Sequence, residues 1–66
     1  MHVNTLTRLV REAWMNANGD WEEFILQVDK ISPALADSFE TKQLKRELFM
    51  ALHMGNFQTA LREVIG

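Results

Sequence analysis

Three breaks in the hydrophobic periodicity, at Gly19, at Ser32-Pro33 and at Gly55, divide this chain into segments whose apolar residues recur at helical spacing. A helix returns to the same face every 3.6 residues, so apolar residues three and four apart build one stripe. In the first segment that stripe is Val3, Leu6, Leu9, Val10, Ala13, Trp14 and Ala17. Asn4 or Thr5 can cap its start with a side-chain oxygen. Gly19 can take the left-handed conformation that closes a helix. The spacing predicts a helix over Thr5 to Asn18.

The second segment opens on Asp20-Trp21-Glu22-Glu23. Asp20 can accept from the Glu23 backbone N–H while Glu23 reaches back, as in a capping box. The carboxylates also suit the positive end of the helix dipole. Trp21, Phe24, Ile25, Val28 and Ile31 form the stripe. The helix is expected to stop near Ile31, because Pro33 disfavours helical geometry at Ser32.

Ser32 followed by Pro33 reads as an N-cap with proline at the first helical position. Leu35 and Phe39 lie four apart, but Phe39 to Leu44 is a step of five that breaks the period. Two arrangements fit. One is a short helix over Pro33 to Phe39, recapped by Ser38 or Thr41, then a helix over Thr41 to Met54. The other is a single bent helix from Pro33 to Met54. Gly55 caps the end of that stretch. Asn56 caps a last helix carrying Phe57, Ala60, Leu61, Val64 and Ile65.

No segment alternates with period two. The expected fold is all-α: a four- to five-helix bundle over residues 1–66 as a single domain, with a C-terminal antiparallel helical hairpin turning at Gly55-Asn56. That turn, from Ala51-Leu52 through Gly55-Asn56-Phe57 to Ala60-Leu61, resembles the turn of a tetratricopeptide-type hairpin over about a third of the chain. A repeat of that type needs neighbours to bury its core, and the chain has no second copy of the unit. No family assignment follows.

At 66 residues and 7.7 kDa, one domain of this size buries only about 60% of its unfolded surface. There is room for one modest core and no deep cleft. The longest apolar run, Leu48 to Leu52, is five residues, against the roughly 20 that a membrane span needs. Met1 to Thr7 lacks the pattern of a signal peptide, so the cytoplasm is the expected compartment. With no cysteine there is no disulfide, thiolate zinc site or cysteine nucleophile.

The chemistry-bearing residues are sparse. His2 lies near a chain end. His53 falls in the last turn of its helix, where an imidazole suits the dipole. Two histidines make a poor metal site, and no glycine-rich phosphate loop or zinc-protease motif is present. No enzyme, cofactor or metal is expected. A nucleic-acid reading rests on Lys42, Lys45 and Arg46, with Arg8 and Arg11 on the first helix. Against it stand Glu40, Glu47 and Glu12 among those cations and a net charge of −2, where binding domains carry a basic footprint. A small helix-turn-helix regulator of DNA is the alternative reading.

The favoured reading is protein binding. On the helix of Leu44, Leu48, Ala51 and Leu52, the side chains of Phe49 and Met50 point away from the stripe, leaving that helix apolar nearly all round. Met15 and Leu26 are off-stripe on theirs. Such a helix is either the centre of the bundle or an interface, and methionine suits interfaces with varied partners. Phe49 and Met50, with Met15 or Leu26, are the expected protein-binding residues of a homodimeric accessory protein, of a kind that suits a compact phage or plasmid genome.

Overall fold

The computed structural model describes residues 3–41 and 43–65, with side chains described from residue 4 onward. Among them are five helices and no strand: α1 (Val3–Ala17), α2 (Trp21–Ile31), α3 (Pro33–Thr41), α4 (Lys45–His53) and α5 (Phe57–Ile65). The bundle is all-α, as the periodicity predicts. Helix α1 packs on α2 and α2 on α3, and α5 then returns to lie against α1, α3 and α4. The last helix is thus the one that closes the bundle. Its stripe of Ala60, Leu61 and Val64 is buried, which is what a helix touching three others requires.

The breaks follow local chemistry. Helix α1 ends where Asn18 and Gly19 both adopt left-handed backbone, at φ 54° and 81°. Asp20 caps α2, but its carboxylate accepts from the Glu22 N–H at 3.1 Å and not from that of Glu23. Glu23 does not reach back. Its carboxylate accepts from Gln27 Nε2, one turn on, at 3.4 Å. The expected reciprocal box is therefore a simple cap. Helix α2 stops at Ile31 as the proline requires. Ser32 Oγ then accepts the Leu35 N–H at 3.2 Å and starts α3.

Several boundaries differ from the sequence reading. Asn4 and Thr5 lie inside α1, which already runs from Val3, so any cap lies outside the described residues. More consequentially, α3 and α4 are separate helices, and α4 begins at Lys45 and not at Thr41. Neither Ser38 nor Thr41 recaps the chain. The Ser38 hydroxyl donates to the Ala34 carbonyl at 3.1 Å, and the Thr41 hydroxyl donates to that of Asp37 at 2.8 Å. Both hydroxyls are spent on the turn behind them, which extends α3 to Thr41. Beyond α3, Gln43 takes φ 56°, a conformation uncommon outside glycine and asparagine. Leu44 starts α4 with its carbonyl alone, accepting the Leu48 N–H at 2.8 Å.

Gly55 ends α4 at φ 81°. Its N–H donates to the Leu52 carbonyl at 3.1 Å, and the Asn56 N–H donates to that of Ala51 at 2.8 Å. This is the paired closure of a glycine-capped helix, and it delivers Phe57 directly into α5.

The core joins all five helices and contains only apolar side chains. Among the described residues no polar or charged side chain is buried. Its centre is aromatic. Phe24 is fully buried and meets Trp14 edge to face at 5.5 Å, Phe39 at 5.2 Å and the Trp21 ring at 5.6 Å. Edge-to-face pairs add about 0.5–1.5 kcal/mol each beyond their buried area. They tie α1, α2 and α3 to one residue.

Candidate protein-binding surface

Helix α4 positions the residues singled out by the sequence. Leu48 and Leu52 are fully buried, while Phe49 and Ala51 are half-buried against the core. The helix is not surrounded: one face enters the core and the opposite face meets solvent. Phe49 sits at the border. Its ring meets the Trp14 indole edge to face at 5.5 Å, and His53, one turn on, stacks on it with ring planes 6° apart and centroids 6.1 Å apart. Met50, the next residue, is 52% exposed.

Met15, next to Trp14 on α1, is 62% exposed. The Trp14–Phe49 contact thus has an exposed methionine following each of its two rings in sequence. Met54, just past the end of α4, is 69% exposed. The sequence reading placed Met54 at the end of its helix and did not single it out. Its spacing of four from Met50 was the available signal.

Leu26 is in different surroundings. It is 59% exposed and lines a groove of about 450 Å³ with Trp21, Glu22, Ile25, Asp29 and Glu40. None of these is Met15, Phe49 or Met50. Ile65, placed by the sequence on the core stripe of α5, is half exposed. Val64, the residue before it, takes the core position in the last turn of α5, and Ile65 lines a second groove with Leu6 and Leu35.

Arg8, Arg11 and Arg46 are exposed. Lys45 is exposed too, with its Nζ 5.9 Å from the centroid of the Trp21 ring, a cation–π distance. Lys42 lies outside the described residues, as does His2. Among the described residues no three His, Asp or Glu side chains are grouped to hold a metal ion. No described helix is long and apolar enough to cross a membrane.

Comparison with protein-family models, with curated proteins and with solved structures gave no match.

Proposed function

We propose that this protein is a small helical protein–protein interaction module without catalysis, and that it self-associates through the surface around Phe49 and Met50, with Met15 at its edge. The observation that carries this reading is the pairing of a half-buried Phe49 with a mostly exposed Met50 on a helix buried on one side only. Methionine and phenylalanine are enriched where proteins meet, and methionine adapts to varied partners. A domain of this size gains stability by association, because its own core is small. A two-fold contact lets one patch satisfy itself. We read α4 and α5 as an antiparallel hairpin that presents this face, a reading supported by the tight Gly55-Asn56 turn and the packing of α4 on α5. The competing nucleic-acid reading is weakened by the carboxylates among its cations and by a net charge of −2.

Methionine-methyl NMR over a dilution series tests this. The Met15 and Met50 methyl signals are expected to move as the protein is diluted, because their surroundings change from a partner to water. Signals that stay fixed from millimolar to micromolar concentration would contradict self-association at this surface.

A further inference from the structure

The groove between α2 and α3 has a composition unlike the methionine surface. Its floor is apolar: Trp21 and Ile25, one turn apart on α2, and the exposed Leu26 beside them. Its rim is acidic, with Glu22 and Asp29 from α2 and Glu40 from α3. The charge extends beyond the rim. From Asp20 to Thr41 the chain carries six carboxylates and one cation, Lys30, whereas the rest of the molecule carries more cations than carboxylates. The segment that lines the groove, α2 and α3, is thus the acidic part of the sequence. The Trp21 ring also carries a cation–π contact, with the Lys45 Nζ 5.9 Å from its centroid.

We infer that this groove docks a basic amphipathic helix of a partner protein, with an apolar side chain on Trp21, Ile25 and Leu26 and flanking Lys or Arg side chains on Glu22, Asp29 and Glu40. Apolar anchors at helical spacing enter such grooves as one stripe. Opposite charges around them steer the encounter and fix the register. A phosphate-bearing ligand is repelled by the same rim. The occupant is a different protein and not a second copy. This inference goes beyond the self-association proposed above and uses none of its residues; Leu26, which the sequence reading offered for the dimer, lines this groove instead.

The test titrates the full chain with a helical peptide of about 15 residues, with leucines at i, i+3, i+4 and i+7 and lysines on both flanks. Amide NMR should show shifts confined to residues around Trp21, Ile25, Leu26 and Glu40, including the Trp21 indole N–H. The same peptide with glutamate for lysine should give none. Leu26→Ser should weaken binding about tenfold, the loss expected from uncovering one leucine-sized contact. The combined change Glu22→Gln, Asp29→Asn and Glu40→Gln should weaken it and flatten its salt dependence. All six groove residues are partly or fully exposed, so these variants keep the core intact, and circular dichroism checks that they fold. Equal binding of the lysine and glutamate peptides overturns the inference, as do shifts that map to Met15 and Met50 or no shift at millimolar peptide. The mass in solution is read on the same samples. A fall in mass with Leu26→Ser would give the groove to a second copy and overturn the inference, whereas a monomeric wild type that still binds the lysine peptide would sink the proposed dimer and leave this groove standing.

Discussion

The Trp14 indole and the Phe49 ring meet edge to face at 5.5 Å, with their planes 85° apart. That contact links α4 to the aromatic centre of the bundle, because Trp14 also meets Phe24. It divides the two residues that sequence spacing treats alike. Phe49 is half core, whereas Met50 is surface. Phe49→Glu should therefore place a charge against the core and lower stability, while Met50→Glu should leave the fold intact. Urea unfolding of the two variants checks this. Equal stabilities would mean that the Trp14 contact contributes little.

Phe24 should be the least replaceable residue. It is fully buried and makes ring contacts with three neighbours. Truncating such a phenylalanine to alanine costs about 3–5 kcal/mol. A domain this small is stable by an amount on the order of 5 kcal/mol. Phe24→Ala should be largely unfolded by circular dichroism at room temperature. A cooperative thermal transition close to that of the wild type would show that the core repacks around the cavity.

Asp20→Ala should cost about 1 kcal/mol, the usual loss on removing an N-cap side chain. The carboxylate holds the Glu22 N–H at the start of α2. Asp29→Ala, on the exposed side of the same helix, should cost much less. Denaturant midpoints compare the two, and a matching loss would deny Asp20 its role as a cap.

Gly55→Ala isolates backbone strain. A Cβ at this position meets nothing within 4 Å, and the only obstacle is φ at 81°. The expected cost is about 1 kcal/mol, with Gly55→Asn costing less because asparagine tolerates this region. If alanine is neutral in thermal unfolding, the turn does not depend on the left-handed residue.

The parts of this fold that the sequence made legible are those decided within a few residues. Asp20, Ser32, Pro33 and Gly55 act through bonds to their immediate neighbours, so their residue type announces the break. The start of α4 was not legible for the opposite reason. It depends on which way the Thr41 hydroxyl turns, and Thr41 donates backward to Asp37. It depends also on Gln43 holding a positive φ, for which glutamine gives no signal. The surface was legible in part. Met15, Leu26 and Met50 lie off their stripes and are exposed. Phe49 lies off its stripe too, yet α1 brings Trp14 against it, and periodicity within one helix cannot register a neighbour. Ile65 shows the reverse case, a residue counted on the stripe that is half exposed while its neighbour Val64 is buried.

The central claim is self-association through the Phe49–Met50 surface, and the mass in solution tests it most directly. Sedimentation equilibrium of the wild type at micromolar concentration should give about twice 7.7 kDa, and Met50→Glu, still folded, should move it toward the monomer by placing a charge in an apolar contact. A wild type that sediments at 7.7 kDa even at high concentration, or a Met50→Glu variant that remains fully dimeric, would contradict the account.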